Sequence, residues 1–335
     1  MLSNYLNWPL QLREALEKWG FYRVEGKYSA VAVFGMGGSG IVGDYLSTLS
    51  QHEGKYPVLV FKSHAVPRYV DSRMLSIVVS YSGNTLESLI AFKKLVERGV
   101  PVVVVSSGGE LSKLAREKGI LHVKLPEGLL PRASLPSMLY SILGLLDSSN
   151  MTIVSKSEAE KAAGFIESTV SDARKAGAEL AEWLYEKAVA RSRPVVIATH
   201  SPLEALALRF KNELNENSKL VAKVDVAPEW MHNDIVGYEA PTLRELAVVE
   251  VVDPGDAVGR KLVDFMETMY ANYCTAEFYR LELRGESILE KLLYGSLIAG
   301  LASTLLATKR RLDPAETKSI LNYKYASKSI FHPLT

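Results

Sequence analysis

Two short loops rich in small residues constrain the fold of this chain more than any other feature of its sequence. The first is Gly35-Met36-Gly37-Gly38-Ser39-Gly40, after an apolar run at 31–34, and the second is Ser80-Tyr81-Ser82-Gly83-Asn84-Thr85, after a run at 77–79. A helical pattern follows each loop. A strand that turns through glycines and hydroxyls into a helix presents backbone N–H groups and the positive end of the helix dipole. The loops therefore predict an anion site, such as a phosphate held from two sides.

Strands and helices alternate through the first half of the chain, which predicts an α/β fold. Strands are expected at 31–34, 58–61, 77–79, 102–106 and 122–125, and most of them are runs of apolar residues rich in valine. Helical patterns fall at 5–19, 39–50, 85–98, 111–118 and 135–146. Nearly continuous apolar runs are typical of parallel strands buried on both faces. Ligands of such sheets bind at the carboxyl ends of strands, where both loops lie.

The second half repeats this alternation after a long helical pattern at 158–190. Strands are expected at 195–199, 220–226, 246–252 and 275–283, and helices at 203–217, 259–271, 288–308 and 314–323. This is a weak internal repeat of one domain type, but the second copy has Thr199-His200-Ser201-Pro202 where the first has glycines. We expect an N-terminal helix in 1–26, a phosphate-binding domain in 27–150, a second domain in 151–312 and a C-terminal helical segment in 313–335.

Composition narrows the class of protein. The 335 residues are 47% hydrophobic, which is enough for two cores, and the net charge of +1 does not steer the chain toward nucleic acid or membranes. The only cysteine, Cys274, excludes an intrachain disulfide and is expected in the core. Residues 1–12 lack a basic segment followed by an apolar run, and the apolar stretches are shorter than a membrane span. We expect a soluble cytoplasmic protein.

The first loop also fits the dinucleotide-binding pattern Gly-x-Gly-x-x-Gly, through Gly35, Gly37 and Gly40. In that fold an acidic residue at the end of the second strand holds the ribose. Here the second strand continues into Lys62 and Ser63, without an acid. The pattern therefore disfavours NAD.

The second loop is the more informative of the two, because Ser80, Ser82 and Thr85 place three hydroxyls near a helix start. Helix capping, supported by Glu87, is the ordinary explanation and accounts for one or two of them. A hydrogen bond to a charged group contributes about 1.5–3 kcal/mol. Three or four such donors would hold a phosphate dianion without lysine or arginine.

The succession Gly-x-Gly-Gly-Ser-Gly and Ser-x-Ser-Gly-x-Thr-x-Glu resembles the sugar isomerase (SIS) domain, which binds phosphosugars. Nearly the whole chain resembles the bifunctional phosphoglucose/phosphomannose isomerases, which are built from two SIS domains. Further matching motifs are Pro131-Arg132-Ala133, Asn215-Glu216-Asn217, His232-Asn233 and Asp313-Pro314…Ile320…Lys324. The resemblance implies two parallel sheets, each flanked by helices in an αβα sandwich, with N- and C-terminal helices outside them.

The resemblance also implies a metal-independent interconversion of glucose 6-phosphate, mannose 6-phosphate and fructose 6-phosphate through a cis-enediol. Glu216 would be the general base, Arg132 would stabilise the enediolate, and His232, from the other subunit of a homodimer, would open the sugar ring with Lys324. The phosphosugar would be bound by Gly37, Gly38, Ser39, Ser80, Ser82, Thr85 and Thr317. No cofactor, nucleic acid or membrane partner is implied, and no helical His-x-x-x-His or Glu-x-x-His pair is expected.

The residues by themselves leave alternatives open. Glu216 lies at the end of a predicted helix, where the helix dipole would raise its pKa and suit it to be a general base. The alternative is a solvent-exposed glutamate without a catalytic role. Glu213 and Glu204 are the other candidates for the base. Arg132 would otherwise be a surface arginine and His232 a histidine without chemistry. Lys318 competes with Lys324. A non-catalytic phosphosugar-binding regulator of the same fold is the alternative function.

Overall fold

The computed structural model describes residues 1–54, 56–240 and 244–332. It divides into two compact units, each made from two stretches of chain. The N-terminal unit contains Asn7–Gly164 and residues 317–332, and the C-terminal unit contains Met1–Leu6 and Phe165–Glu316. Each end of the chain thus belongs to the unit built mainly from the other half. The domain boundaries expected from the sequence stay predictions.

The described strands form two sheets, and every neighbouring pair within them is parallel. They are β1 (Ala30–Gly35), β2 (Val58–Phe61), β3 (Met74–Val79), β4 (Val102–Ser106), β5 (His122–Lys124), β6 (Val195–His200), β7 (Ala222–Ala227), β8 (Glu245–Val252) and β9 (Thr275–Glu282). The strand order is β2-β1-β3-β4-β5 in the first sheet and β7-β6-β8-β9 in the second. The shared order confirms the predicted repeat, because β6, β7, β8 and β9 take the places of β1, β2, β3 and β4.

Helices connect the strands and continue at the two ends of the chain. They are α1 (Leu2–Leu6), α2 (Trp8–Glu17), α3 (Gly37–Glu53), α4 (Leu86–Glu97), α5 (Gly109–Glu117), α6 (Leu135–Ser148), α7 (Lys156–Leu184), α8 (Glu204–Ser218), α9 (Ala257–Tyr273), α10 (Ile288–Lys309) and α11 (Lys318–Ile330). Short 3₁₀ helices span Pro131–Ser134, Glu229–His232 and Asp234–Tyr238, and a π-helical turn spans Tyr185–Val189. This is the predicted α/β architecture of two parallel sheets flanked by helices.

The core of the N-terminal unit forms around β1. Every residue of β1 is buried, because parallel strands covered by helices on both faces leave no side chain in water. Val33 lies in register with Val60 on one side and with Ile77 on the other. Phe34 stacks on Phe61 with ring centroids 4.8 Å apart. This packing fixes the carboxyl ends of β1 and β3 side by side.

The core of the C-terminal unit forms in the same way around β6 and β8, and it includes the buried Cys274, as predicted. The helix α10 is long and apolar enough to cross a membrane, contrary to the expectation that no apolar stretch reaches that length. However, 83% of its most apolar window is buried inside the structure. A capping box of Ser287 and Glu290 begins α10 and satisfies backbone N–H groups in its first turn.

Three helices differ from the sequence predictions. The pattern at 5–19 is two helices, α1 and α2, because Pro9 lies at the start of the second helix, where its missing N–H costs nothing. The long helix α7 ends at Leu184 and passes into the π turn instead of continuing to residue 190. The terminal helix α11 starts at Lys318, four residues after Pro314, and ends at Ile330 instead of residue 323.

Candidate active site

The first loop is mostly the first turn of a helix. Helix α3 begins at Gly37, directly after β1 and Met36, and the N–H groups of Ser39 and Gly40 both donate to the Met36 carbonyl. Within the described residues, the N–H groups of Gly37 and Gly38 have no acceptor. Gly37 has φ +53°, and no atom lies within 4 Å of a Cβ placed there. The positive end of the α3 dipole and two N–H donors are therefore available to an anion, and the space beside Gly37 is open.

The second loop leaves the start of α4 without a side-chain cap. Thr85 is the N-cap residue, but its hydroxyl makes no capping bond and instead accepts a hydrogen bond from Ser80 Oγ at 3.0 Å. The Ser82 hydroxyl accepts from the Asn84 N–H at 3.3 Å. Ordinary capping thus does not explain these hydroxyls. Within the described chain, the N–H groups of Leu86 and Glu87 also lack acceptors.

The two loops touch, as predicted. The Tyr81 N–H donates to Ser39 Oγ at 3.0 Å, and the buried Ser39 hydroxyl lies 3.8 Å from the Met138 sulfur. Gly83 has φ +69°, and a Cβ there would lie 1.8 Å from the Gly108 carbonyl oxygen. Only glycine fits where the second loop packs so closely on the backbone. Ser39 therefore joins the loops, besides its predicted contact with a ligand.

Arg132 lies in the 3₁₀ turn that packs against the first loop. A Cβ on Gly38 would lie 3.0 Å from the Pro131 carbonyl oxygen and 3.1 Å from the Arg132 nitrogen. Trp8 Nε1 and Gln11 Nε2 both donate to the Ala133 carbonyl at 3.0 Å and hold this turn in place. Arg132 is 7% exposed, so it is not the surface arginine that was the alternative. Burial holds this guanidinium beside the first loop, where the sequence placed it.

Helix α11 brings the predicted C-terminal residues to the same unit. Its N-cap residue is Thr317, which is half-buried and makes no side-chain capping bond. Lys324 is exposed, and its neighbour Tyr323 donates a hydrogen bond to the Glu87 carboxylate in the first turn of α4. Lys318 is also exposed, so the choice between the two lysines stays open.

Glu216 lies in the last turn of α8 in the C-terminal unit, where it is half-buried. The ammonium of Lys219 donates to the carbonyls of Glu216 at 2.9 Å and Asn217 at 3.3 Å, and also to the Asp313 carbonyl at 2.8 Å. A cation at a helix C-terminus offsets the dipole. The dipole alone is therefore a weaker reason for a raised Glu216 pKa than the sequence indicated, and that pKa stays a prediction.

The two fallback glutamates differ sharply from Glu216. Glu213 is 1% exposed, and its carboxylate lies 2.6 Å from Arg209 Nη2 and accepts from Tyr5 OH at 2.5 Å and Asn217 Nδ2 at 2.8 Å. This carboxylate is therefore satisfied by buried partners within the core of the C-terminal unit. Glu204 is exposed in the first turn of α8, at the other end of the helix.

His232 is exposed at the end of a 3₁₀ helix, and within the described chain its imidazole has no hydrogen-bond partner. The loop around it is anchored. Trp230 is buried against Tyr270 at a centroid distance of 5.2 Å, Tyr238 OH donates to Asp225 at 2.9 Å, and Lys223 pairs with Asp234 at 2.9 Å. These contacts hold the loop firmly while its histidine faces solvent.

No metal centre is evident in the described ranges, where no three His, Cys, Asp or Glu side chains group together to hold an ion. The prediction that the chain has no helical Glu-x-x-His pair is wrong, because Glu229 and His232 have this spacing in a 3₁₀ helix. The Glu229 carboxylate accepts from Asn233 at 2.5 Å.

The end of β2 has no acid that could bind the ribose of a dinucleotide. Lys62 lies at that position and pairs with Asp44.

A cavity of about 480 Å³ lies beside the His232 loop, lined by residues such as Val195, Ala222 and Leu246 at the amino ends of their strands. The carboxyl ends of parallel strands, at the opposite edge of a sheet, are where ligands of such folds bind. The cavity therefore does not correspond to the predicted anion site.

In the C-terminal unit, the helix that corresponds to α4 has a side-chain cap of its own. Asp256 caps α9, the counterpart of α4, by accepting from the N–H groups of Val258 at 3.0 Å and Gly259 at 2.9 Å. The buried His200 ring takes the place of the glycine loop, and a Cβ on Gly259 would lie 2.2 Å from its Nδ1. A carboxylate thus occupies the helix end where α4 is bare. The sequence analysis noted the missing glycines but did not identify Asp256. Asp256 directly precedes the first residue of α9, and aspartate is a preferred N-cap residue at that position.

The difference between the capped α9 and the uncapped α4 predicts that two N-cap variants will affect different properties, stability in one and ligand binding in the other. Asp256→Ala should lower the free energy of unfolding by about 1 kcal/mol, because it removes a side-chain N-cap. Thr85→Ala should cost less stability, since its hydroxyl does not cap α4, but should weaken phosphosugar binding about tenfold. Denaturant titration and calorimetry measure the two effects. Weaker ligand binding by Asp256→Ala than by Thr85→Ala would contradict this assignment.

Comparison with known sequences and structures first establishes the class of protein to which the chain belongs. The sequence model of the SIS domain matches residues 27–142, and that of the bacterial phospho-glucose isomerase C-terminal SIS domain matches residues 174–326. The C-terminal domain of glucosamine-fructose-6-phosphate aminotransferase from Francisella tularensis has the same fold, with a TM-score of 0.73 at 14% identity over 95% of this chain and 97% of that chain. The chain is therefore a two-domain SIS protein.

Closer relatives establish the family. Bifunctional phosphoglucose/phosphomannose isomerases from Aquifex aeolicus and Aeropyrum pernix are both 34% identical, over 301 and 347 residues. These matches cover 89% of this chain and 90% of the first relative, and 96% of both chains for the second. A D-glucosamine-6-phosphate 4-epimerase from Sulfolobus acidocaldarius is 31% identical over 295 residues, covering 87% of this chain and 86% of the relative. The chain belongs to the bifunctional phosphoglucose/phosphomannose isomerase family.

Proposed function

We propose that the chain is an aldose–ketose isomerase that interconverts glucose 6-phosphate and mannose 6-phosphate with fructose 6-phosphate. The observation that carries this proposal is the pair of bare helix N-termini, of α3 and α4, joined by the hydrogen bond from Tyr81 to Ser39. Such a pair suits a phosphate dianion, which would replace the missing helix caps. Family membership supports the reaction.

The phosphate would bind the two loops through backbone N–H groups and hydroxyls. The proposed phosphosugar-binding residues are Gly37, Gly38, Ser39, Ser80, Ser82, Thr85 and Thr317. Because α4 has no side-chain cap of its own, binding would not have to displace a protein carboxylate, as it would at Asp256 on α9. One phosphosugar per chain is the expected stoichiometry.

The proposed chemistry is a proton transfer on the open-chain sugar. The Glu216 carboxylate takes the proton from C2 of the aldose, and the carbonyl oxygen on C1 gains a proton as the cis-enediol forms. Glu216 then delivers its proton to C1 while the hydroxyl on C2 loses one and becomes the ketone, so no proton or electron is lost. Arg132 stabilises the negative charge on the enediolate oxygens, and His232 and Lys324 assist ring opening. No metal is required.

An assay of the purified full chain tests this function. Fructose 6-phosphate should form from glucose 6-phosphate and from mannose 6-phosphate, at rates that do not change after dialysis against EDTA. Phosphosugar binding in calorimetry without turnover would indicate the regulator instead. Glucosamine 6-phosphate belongs in the same panel, because one relative is a 4-epimerase of that sugar.

We also propose a cytoplasmic homodimer in which His232 of each chain serves the site of the partner. The anchored loop with an exposed, unbonded imidazole supports this arrangement among the described residues. A mixture of Glu216→Gln and His232→Ala chains should then recover about a quarter of wild-type activity, because half of the random dimers contain one intact site. Recovery is measured after subunit exchange has been demonstrated. Exchange without recovery would show that sites are not shared.

A further inference from the structure

We propose that Tyr323 is a positioning residue: its hydrogen bond to Glu87 latches α11, and with it Lys324 and Thr317, onto the helix that carries the second loop. Both partners lie in the N-terminal unit. Glu87 is in the first turn of α4, two residues after the N-cap Thr85. The latch therefore acts within one helical turn of the proposed phosphate site. The catalytic part of this inference rests on the proposed function.

Helix α11 has little apolar burial to hold it. Of its residues only Ser327 is buried, and four apolar side chains besides Tyr323 are largely exposed: Ile320, Leu321, Tyr325 and Ile330. Hydrophobic stabilisation scales with the apolar area removed from water, at about 25 cal/mol per Å². A helix docked in this way depends more than most on its polar contacts. The Phe331 ring, which lies 5.0 Å from His64, adds a contact after the end of the helix.

The acceptor makes the Tyr323 bond a strong one. Glu87 is 6% exposed, and its place in the first turn of α4 stabilises a negative charge through the helix dipole. Hydrogen bonds to charged groups are stronger than neutral ones. The bond to Glu87, together with burial, raises the pKa of Tyr323 from 10.0 to about 12, so the phenol keeps its proton and remains the donor at neutral pH.

The bond also matters to Glu87. A buried carboxylate without a donor is costly, so release of α11 would leave Glu87 less well satisfied. The docked helix and the start of α4 therefore stabilise each other. This coupling gives Tyr323 a role that its neighbours on the exposed helix do not have.

Conservative variants of the full-length protein test the latch. Tyr323→Phe keeps the ring and removes the donor, and the matched control Tyr325→Phe changes a phenol on the same helix that is 74% exposed. Trypsin cleavage within α11, followed by mass spectrometry, reports release of the helix, and kcat and KM report catalysis. We expect Tyr323→Phe to increase cleavage about tenfold and to lower kcat about tenfold, with little change in the melting temperature or in phosphate inhibition. Tyr325→Phe should behave as wild type.

A second pair of variants examines the acceptor. Glu87→Gln keeps an oxygen that can accept from Tyr323 but carries no charge, so its cleavage should lie between those of wild type and Tyr323→Phe, whereas Glu87→Ala should match Tyr323→Phe. Equal cleavage of Tyr323→Phe and wild type would overturn the latch. Faster cleavage with unchanged kcat would overturn the positioning role. The cleavage result stands even if the wild-type protein proves not to be an isomerase, so the two failures are distinguishable.

Discussion

Glu216→Gln is expected to lower kcat for both aldose phosphates by at least a hundredfold, and by as much as about ten-thousandfold. A positioned general base contributes about 10²–10⁴ to the rate, and an amide cannot take a proton from carbon. The substitution keeps the size and hydrogen-bonding shape of the side chain. Glu216 is half-buried in the last turn of α8, so the fold should tolerate the change. Steady-state kinetics in both directions of the isomerisation measure the effect.

The same variant should still bind a phosphosugar, because the loops that would hold the phosphate are unchanged. Calorimetry should give an affinity close to that of wild type, and the exchange of solvent deuterium into C2 should disappear with turnover. A loss of affinity as large as the loss of kcat would mean that Glu216 binds the substrate and is not the base. If turnover survived in Glu216→Gln but fell in Glu204→Gln, the proton would move through the exposed fallback residue.

The strands were predictable because their signal is local. Residues 102–105 are apolar at successive positions, and the structure has β4 at Val102–Ser106, with all but its first residue buried. Parallel strands buried on both faces carry this pattern regardless of what surrounds them. The helix starts were harder, because glycine is a poor helix former and reads as loop. Gly37, Gly38 and Gly40 nevertheless form the first turn of α3, held by the Met36 carbonyl.

Residues whose environment comes from distant parts of the chain could not be assigned from sequence alone. Arg132 is buried because Trp8 and Gln11, more than a hundred residues earlier, hold its turn against the first loop. The contact between Tyr323 and Glu87 likewise joins residues 236 positions apart. No periodicity or spacing reports such pairs. Family resemblance indicated that Arg132 mattered, but not how it is held.

The C-terminal helix shows the limit of amphipathic patterns. Periodicity predicts a helix when one face is buried, and α11 buries only Ser327. Its apolar residues therefore give no reliable end point, and the predicted helix stopped at residue 323, seven residues early. The register of Lys324 could not be settled from this pattern for the same reason.

Glu213→Ala is expected to lower the free energy of unfolding of the C-terminal unit by about 3–5 kcal/mol. Glu213 and Arg209 are both buried and form an ion pair at 2.6 Å, and removal of one partner of such a pair is strongly destabilising. The same carboxylate accepts from Tyr5 OH, which ties α1 to α8. Burial, and then the adjacent carboxylate, raise the Tyr5 pKa well above its usual value, so Tyr5 remains a donor. Urea unfolding followed by circular dichroism measures the loss.

The comparison of Glu213 with Glu216 separates stability from catalysis within one helix. Glu216→Gln should unfold at the same denaturant concentration as wild type, while Glu213→Gln should be intermediate, because its amide oxygen can still accept from Tyr5 but carries no charge for Arg209. Activity per folded molecule should fall a hundredfold or more for Glu216→Gln and far less for the Glu213 variants at low temperature. If Glu213→Ala were as stable as wild type but inactive, the buried carboxylate would be the base and the roles of the two glutamates would be reversed.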